Sequence, residues 1–409
     1  MTQASTPIAP DDLYSPAFLA DPFSLWRRLR ADQPAFYDSV AGVWLLTRYE
    51  DVTAVLLDDE TYSTRGYAEW FGPTIGFTFA ELDGAEHSWR RNLVAPRLVD
   101  RSLERLVPLV QKVAVELVGE LPMAGRVDLT DLTFRLPALV MADLFSFAGG
   151  DRTRFVALAR AISEGLVASD GAPERAAGIA ARTELEELTE RRLHGREEGS
   201  GDALEWLAAS SNGKTLEREH LRTHVNFFAA AGSSTVDYAL RNFLWALLAH
   251  GELLEPVRTD RALLDAVFTE TLRYATPVPH ENRIATREVE WHGVTIPAGA
   301  VVRLCLASAN DDETIFEEPR RFDPLRGDLR PRESRGGART GGAATHLAFG
   351  LGSHFCVGYR LARLESLTVV ERLLAAYSLR PDGPLPPLRI HKLHLTVPTL
   401  DIELKRRPT

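Results

Sequence analysis

The sequence predicts a mainly α-helical fold with small β-sheets. Residues 101–195 carry a helical pattern of apolar residues that is interrupted at 121–126 and 148–151. The longest helical pattern runs from Leu216 to His250, and its apolar middle is typical of a helix buried on all sides. Alternation of apolar and polar residues is confined to short stretches, which favours small sheets rather than a large one.

Composition argues against several classes of protein. The net charge is -10 with 25% charged residues, which argues against a nucleic-acid-binding protein. Two cysteines are too few for a disulfide framework. The N-terminus lacks the regions of a signal peptide, and no run of about eighteen apolar residues occurs, so we expect no membrane span. We therefore expect a cytoplasmic protein. We also expect it to be a monomer.

The chain opens with a helix, a strand and a second helix. Residues 1–20 are polar and contain prolines, and we interpret them as an N-terminal arm. The segment from Asp21 to Ala31 starts with Asp-Pro, a good N-cap and first-turn pair for a helix. A strand from Val43 to Thr47 and a helix from Tyr49 to Leu57 follow.

Residues 64–82 form an unusual segment in which aromatic residues alternate with glycines. The aromatic residues are Tyr67, Trp70, Phe71, Phe77 and Phe79. This composition predicts a loop that packs onto an apolar surface, which is either a ligand or the protein's own core.

Two pairs of side chains lie at helical spacing. His87 and Arg91 are four residues apart, and Glu270 and Arg273 are three apart, so each pair shares one helix face. Either pair could be a solvated surface pair, and an exposed ion pair contributes less than about 1 kcal/mol.

The middle of the longest helical pattern reads Ala231-Gly232-Ser233-Ser234-Thr235. Glycine and threonine are both mildly unfavourable inside a helix. A threonine there can donate a hydrogen bond to the carbonyl one turn earlier and bend the helix. The alternative interpretation is a patch of small residues that allows close helix packing.

The stretch from His346 to Gly358, HLAFGLGSHFCVG, places Cys356 among closely spaced glycines. Glycine permits positive φ and a close approach of the backbone to a bulky ligand. A helix is predicted from Val357 to Tyr377, and N–H groups at its start favour a thiolate at Cys356. A buried structural cysteine beside a glycine turn is the alternative.

This stretch resembles, at every fixed position, the haem-binding loop F-G-x-G-x-H-x-C-x-G of the cytochrome P450 family. The resemblance implies that Cys356 is the axial thiolate ligand of haem b and that its electron donation favours O–O cleavage. It also implies that Phe349, Gly350 and Gly358 belong to the haem-binding loop and that His354 anchors a haem propionate.

Further motifs of the family follow in the expected order. His87 and Arg91 match the H-x-x-x-R motif of the third helix, and Arg283 matches the arginine before the central strand. The resemblance implies that all three bind propionates, since arginine binds carboxylates in a fork geometry. Glu270 and Arg273 match the E-x-x-R pair, which is structural and buried against the loop before the cysteine.

The middle of the long helix resembles the distal oxygen-binding motif A-G-x-[DE]-T. The resemblance implies that Ala231 and Gly232 leave room for dioxygen and that Thr235 orients water and manages protons. Ser234 departs from the pattern, because the family has an acid there. A serine can relay a proton but cannot ionise as a carboxylate does, so we expect slower or differently routed O–O cleavage. Asp237 could substitute through water, or it could have a surface or capping role.

The resemblance also implies a substrate pocket above the haem. The residues expected to contact substrate are Trp70, Phe71, Phe77, Phe227, Ala231, Val278, His280 and Leu395. This set indicates a small, largely apolar substrate, with His280 as a polar exception that either bonds the substrate or faces solvent.

Residues 326–344, RGDLRPRESRGGARTGGAA, are a second departure, because family members usually cross here in fewer residues. Their composition predicts a flexible Gly/Arg-rich insertion. Docking of an acidic ferredoxin is the less favoured alternative.

Together the motifs predict one cytochrome P450 domain over residues 1–409, with the haem between the long distal helix and the helix after the cysteine loop. The predicted function is that of a soluble bacterial haem-thiolate monooxygenase that inserts one atom of O2 into a small apolar molecule, in specialised-metabolite biosynthesis. Electrons would come from NAD(P)H through a separate ferredoxin and ferredoxin reductase.

Two alternative functions stay open. The missing acid at Ser234 could mark a peroxide-driven or otherwise non-classical haem-thiolate enzyme. The protein could also bind haem without catalysis, although Thr235 and the aromatic loop speak against this.

Overall fold

The computed structural model describes residues 8–194, 199, 201–211, 213–331, 339–340 and 343–408. These residues form a mainly helical protein with small sheets, as the sequence predicts. The α-helices are α1 (Pro16–Ala20), α2 (Phe23–Asp32), α3 (Tyr49–Leu57), α4 (Tyr67–Phe71), α5 (Gly84–Arg91), α6 (Asp100–Glu104), α7 (Val107–Gly119), α8 (Thr130–Leu144), α9 (Gly149–Val167), α10 (Pro173–His194), α11 (Ala203–Ala208), α12 (Arg218–Ala249), α13 (Leu254–Thr259), α14 (Arg261–Tyr274), α15 (Leu306–Ala309) and α16 (Tyr359–Ala376). Within the described ranges, no helix combines the length and the apolar character needed to cross a membrane.

The strands are short. They are β1 (Ala35–Asp38), β2 (Val43–Leu46), β3 (Tyr62–Ser63), β4 (Ala124–Asp128), β5 (Glu281–Ala285), β6 (Val289–Trp291), β7 (Val294–Ile296), β8 (Val301–Leu304), β9 (Arg339–Thr340), β10 (Ala343–Ala344), β11 (Tyr377–Pro381), β12 (Arg389–His391), β13 (His394–Thr396) and β14 (Asp401–Arg406). The largest sheet has the order β1-β2-β8-β5-β3, and a second has the order β11-β14-β4. β6 pairs with β7, β9 with β10, and β12 with β13.

The largest sheet fixes one side of the site. β2 and β8 pair in parallel, whereas β5 pairs with β8 antiparallel and places Arg283 opposite Val302. Because β5 lies between β8 and β3 in the sheet, the backbone that carries Arg283 is held in place.

The long helix α12 is the centre of the molecule. It contacts α8, α9, α10, α14 and α16, and the larger apolar core surrounds it. A smaller core lies between the largest sheet and α3. Helices on several sides explain why the middle of α12 is apolar all round.

Element bounds agree closely with the sequence predictions, with a few differences. α3 spans Tyr49–Leu57 as predicted, and α12 is shorter than predicted by a few residues at its ends. The predicted break at 121–126 contains most of β4, a strand that the sequence did not predict. α5 ends at Arg91, and Pro96 lies in a separate short 3-10 helix, Ala95–Arg97.

Two predicted segments lie partly outside the described residues. Residues 1–7 of the N-terminal arm are outside, whereas its remainder contains a 3-10 helix, Pro10–Tyr14, and α1. Residues 332–338 and 341–342 of the insertion are also outside, so its flexibility stays a prediction. Its described ends are joined, since Arg330 N donates to Ala344 O at 2.9 Å.

Candidate active site

A cavity separates α12 from the cysteine loop and α16. Its space for the centres of water-sized molecules is about 300 Å³. The wall on α12 includes Phe227, Ala231, Gly232 and Thr235, and Cys356 lies in the wall formed by the loop. The residues predicted to form the oxygen-binding motif and the cysteine predicted to bind the haem iron therefore line one cavity.

Cys356 is held by its own loop and by the start of α16. Its backbone N–H donates to the Phe349 carbonyl oxygen at 2.8 Å, which closes the loop behind the sulfur. Burial raises the pKa of the Cys356 thiol, and this outweighs the lowering by the N–H groups of Gly358 and Tyr359 and by Arg91. The N–H groups favour the thiolate, so a metal ion that replaces the thiol proton would find its ligand already oriented.

Two glycines of the cysteine loop are required by geometry. Gly350 has φ +67°, and Gly352 has φ +70°, a region that L side chains rarely adopt. A Cβ atom at Gly352 would in addition collide with the Leu56 carbonyl oxygen of α3. Gly350 shapes the loop without lining the cavity, whereas Phe349 and Gly358 are part of the wall.

Basic side chains from separate elements meet at one cavity. His87 and Arg91 come from α5, Arg283 from β5 and His354 from the cysteine loop, and all of them line the wall. The rings of His87 and His354 stack with centroids 4.1 Å apart. Arg91 donates to the Phe355 carbonyl oxygen, and Arg283 pairs with Glu281 Oε2 at 3.1 Å.

These residues fit the haem that the sequence resemblance implies. Buried basic groups favour an anionic partner, and a haem carries carboxylate groups at its edge. His354 Nε2 is buried and has no hydrogen-bond partner among the described residues, and Asp83 Oδ1 is 3.7 Å away. A haem carboxylate would satisfy this nitrogen, and Cys356 would supply the thiolate.

The wall of the cavity on α12 contains Thr235 and Gly232, and each has a close contact with neighbouring groups. Thr235 Oγ1 donates to Ala231 O at 2.7 Å, the local bond predicted for a threonine in this position. A Cβ atom at Gly232 would lie 2.9 Å from Met141 Sδ on α8. The absence of a side chain at Gly232 therefore permits the close approach of α8. The resemblance implies another role for the same glycine, which is to leave room for dioxygen.

The two polar neighbours of Thr235 that the sequence singled out, Ser234 and Asp237, are both bonded to other groups. Ser234 Oγ donates to Ala230 O at 3.0 Å, and Ser234 does not line the cavity. Asp237 is buried and pairs with Arg241 through both oxygens, at 2.7 and 2.5 Å. Thr133 Oγ1 also donates to Asp237 Oδ1 at 2.6 Å, so this carboxylate is bonded on the α8 side of α12.

The Glu270–Arg273 pair on α14 is fully buried. Arg273 Nε and Nη2 donate to the two oxygens of Glu270 at 2.8 and 2.7 Å, and both side chains are 0% exposed. Arg273 Nη1 donates to Asn310 O at 3.0 Å, and Asn310 Oδ1 accepts from Leu347 N at 2.7 Å. The pair thus reaches the cysteine loop through Asn310, and the surface-pair alternative is wrong.

The predicted substrate residues divide into two groups. Phe71, Phe227, Ala231 and Val278 line the cavity, whereas Trp70, Phe77, His280 and Leu395 do not.

Each residue of the second group has another environment. Trp70 Nε1 donates to Leu166 O at 2.8 Å, and the Phe77 ring lies beneath Arg90. Leu395 N donates to Pro277 O at 3.1 Å and its side chain is buried in the core. Burial lowers the pKa of His280 to about 3, so its ring is neutral near pH 7.

The cavity also contains residues that the sequence did not single out as site residues. They include Tyr67 and Phe79 of the aromatic loop, Met141 and Phe145 near the end of α8, Trp206 of α11, Phe228 of α12 and the acid Glu365 of α16. Burial raises the pKa of Tyr67 to about 12, and its Oη accepts a hydrogen bond from Asn282 N at 3.1 Å. Tyr67 and Phe79 belong to the aromatic segment that the sequence singled out, so they could have been predicted. No local pattern in α8 or α11 indicated that these helices contribute to the cavity.

Comparison with known proteins agrees with this geometry. The sequence model of the family described as Cytochrome P450 matches residues 182–406. The chain is 33% identical over 392 residues to the cytochrome P450 monooxygenase PikC of Streptomyces venezuelae, covering 91% of this chain and 88% of the relative. It is 31% identical over 356 residues to the erythromycin C-12 hydroxylase of Saccharopolyspora erythraea, covering 85% of each protein.

A solved structure shows the same fold. Cytochrome P450 CYP109Q5 from Chondromyces apiculatus superposes with a TM-score of 0.83 at 27% identity, covering 97% of this chain and 98% of that one. The match of the family model, the relatives along most of the chain and the shared fold lead to one conclusion. The chain belongs to the cytochrome P450 family and is one of its monooxygenases.

Proposed function

We propose that this protein inserts one oxygen atom from O2 into a small, largely apolar molecule of specialised metabolism, with haem b held by the Cys356 thiolate. The observation that carries the proposal is the shared cavity. Cys356, the basic residues and Thr235 come from distant parts of the chain and line one space between α12 and α16.

The basic residues account for how the haem would be held. Arg91 and Arg283 are buried guanidinium groups, which bind carboxylates in a fork geometry. His87 and His354 add ring nitrogens from α5 and the cysteine loop. A haem bound there supplies the activation of dioxygen, which no amino-acid side chain provides.

Thr235 is suited to holding water beside the reacting centre. Its hydroxyl hydrogen is committed to Ala231 O, so the oxygen lone pairs are the part available to accept a hydrogen bond. A water molecule that donates to Thr235 would be fixed in the cavity and could carry protons.

Aromatic side chains form the apolar part of the wall and support an apolar substrate. Phe227 lies 5.4 Å from Phe79 and 6.2 Å from Phe71 between ring centroids. Such rings contribute large apolar contact areas with defined geometry. The erythromycin C-12 hydroxylase among the relatives supports hydroxylation of a specialised metabolite, and the proposed electron donors are a separate ferredoxin and its NAD(P)H-dependent reductase.

The first experiment tests the ligand. The reduced, CO-bound protein should show the absorption band of a thiolate-ligated haem, and Cys356→Ala should abolish it. Cys305→Ala is the matched control, because burial raises the pKa of Cys305 to about 12 and it lies outside the cavity wall. A thiolate band that persists in Cys356→Ala would show that the ligand is assigned to the wrong residue.

The same preparation tests the oxygen source. With an apolar ligand that shifts the Soret band, product should form with O2, NADPH, ferredoxin and reductase, and it should carry label from 18O2. Product formation with hydrogen peroxide and none with the electron-transfer proteins would contradict the proposal and favour the peroxide-driven alternative.

A further inference from the structure

The cavity also borders helices that have no part in the proposed haem or substrate contacts. The residues proposed to hold the haem lie on α5, on β5 and in the cysteine loop. The wall continues onto the end of α8 and onto α11, where six further residues line the same cavity. They are Met141, Leu144, Phe145, Ala203, Trp206 and Leu207. We call the part of the cavity that these six residues border the side chamber.

The side chamber lies along a second face of α12. Phe227 and Ala231 are one turn apart and form the face that is expected to contact substrate. Phe228 and Gly232 are also one turn apart and line the cavity, but each follows the first pair by one residue, which is a rotation of about 100° around the helix. The Phe228 ring lies against the end of α8, with its centroid 6.1 Å from that of Phe145. Two adjacent faces of α12 therefore border two parts of the cavity.

The wall of the side chamber favours an apolar occupant. Its six residues are all apolar and all buried. The indole N–H of Trp206 donates to Gly201 O at 2.9 Å, so the polar atom of this side chain is already paired. Closed spaces lined by such side chains stay dry and bind small apolar species such as xenon. Water and charged ligands are therefore disfavoured in the side chamber.

Gly232 is the point where the side chamber meets the predicted oxygen-binding motif. It follows Ala231, whose carbonyl oxygen accepts the hydrogen bond from Thr235. Met141 reaches the same point from α8, because a Cβ atom at Gly232 would lie 2.9 Å from Met141 Sδ. A methionine side chain is unbranched and adapts its conformation easily. A small molecule can pass beside such a side chain, whereas a bulky substrate would have to separate α8 from α12.

We propose that the side chamber is a binding site for dioxygen, a small apolar gas, which reaches the oxygen-binding motif past Met141 and Gly232. This inference rests on the proposed function, because that function consumes dioxygen and an organic substrate in one cavity. A substrate in contact with Phe71 and Phe227 fills the substrate side of the cavity. Dioxygen held along the adjacent face of α12 can then be present at the same time as the substrate.

The first test does not depend on activity. Crystals of the wild-type holoenzyme pressurised with xenon should contain a xenon atom in contact with Phe145 and Leu207. Ala203→Leu adds apolar volume to the wall and should remove this atom, and Ala203→Val is the smaller step if the larger variant does not fold. Ala208→Leu is the matched control, because it makes the same change on α11 at a residue outside the cavity wall.

Two results of the xenon experiment would overturn the proposal. One is a side chamber of the wild-type protein that binds no xenon. The other is a xenon atom that persists in the side chamber of both Ala203 variants.

The second test measures whether gas passes through the side chamber. The holoenzyme is saturated with an apolar ligand that shifts the Soret band, and CO association is followed after flash photolysis. The association rate should fall by about tenfold in Ala203→Leu, which corresponds to about 1.4 kcal/mol in the barrier. The Kd of the apolar ligand should be unchanged, and Ala208→Leu should alter neither quantity.

An unchanged CO association rate in Ala203→Leu would overturn the proposal. If the Kd of the apolar ligand rises at the same time, the side chamber holds part of the substrate instead of dioxygen. Absence of the thiolate band from the CO-bound wild-type protein would refute the proposed function, and the xenon experiment would still decide whether the side chamber binds an apolar gas.

Discussion

At the scale of single residues, the buried Glu270 of the Glu270–Arg273 pair connects elements near the cysteine loop. Arg326 Nη1 lies 3.4 Å from Glu270 Oε1, and Asp323 N donates to the same oxygen at 3.1 Å. Glu270 therefore joins α14 to the segment that precedes the cysteine loop. A buried pair contributes little net stability compared with apolar residues, but loss of one partner leaves an uncompensated charge.

Glu270→Ala should therefore destabilise the protein strongly. We expect the free energy of unfolding, measured with urea, to fall by about 3–5 kcal/mol. Glu184→Ala is the control, since its pair with Arg154 is largely exposed and should change stability by less than about 1 kcal/mol. Equal losses in both variants would argue against the bracing role of Glu270.

At the scale of elements, the aromatic loop is fastened to the helices above the cavity. Trp70 on α4 donates to Leu166 O on α9 at 2.8 Å, and Arg182 on α10 donates to Gly72 O at 2.5 Å. Asn226 on α12 donates to Ile75 O at 3.1 Å. Because Phe71 of this loop lines the cavity, these bonds fasten one part of the cavity wall to the helices, and we expect them to resist opening of the loop.

Trp70→Phe should loosen this closure while keeping an aromatic ring. One hydrogen bond contributes about 1 kcal/mol, so association of an apolar ligand should accelerate by about fivefold. Stopped-flow recording of the Soret shift measures the association rate. Trp245→Phe is the control, because it removes a similar bond, to Pro386 O at 2.9 Å, from a residue outside the aromatic loop. Equal acceleration in that variant would contradict a specific role for Trp70.

At the scale of the whole molecule, the cavity lies between elements that the haem would connect. α5, α12, β5, the cysteine loop and α16 all contribute to its wall. A ligand that binds the folded state alone stabilises it by mass action. Filling this space should therefore join the distal and proximal sides into one cooperative unit.

Removal of the haem should lower the stability of the entire protein. At a haem concentration about a thousand times the Kd, binding should add about 4 kcal/mol to the free energy of unfolding. Urea unfolding of apoprotein and of apoprotein reconstituted with haem measures the difference. Identical unfolding curves would show that the cavity is not the haem site.

The sequence by itself determined the helical fold class, the extent of α12 and the family. These features depend on periodicity and on contiguous motifs such as HLAFGLGSHFCVG, in which glycine, histidine and cysteine occupy fixed local positions. Of the residues expected to form the haem environment, His87, Arg91, Arg283, His354 and Cys356 all line the cavity.

The tertiary structure alone decided which side chains of neighbouring elements face one another. Gly232 is matched to Met141 of α8, and Asp237 is bonded to Arg241 and Thr133, away from the missing acid's role. Glu365 occurs in an ordinary amphipathic helix pattern, so the sequence could not show that it is buried with no hydrogen-bond partner in the part of the chain that the structure describes. The physical reason is that burial and pairing depend on contacts between residues far apart in the chain, which local periodicity does not encode.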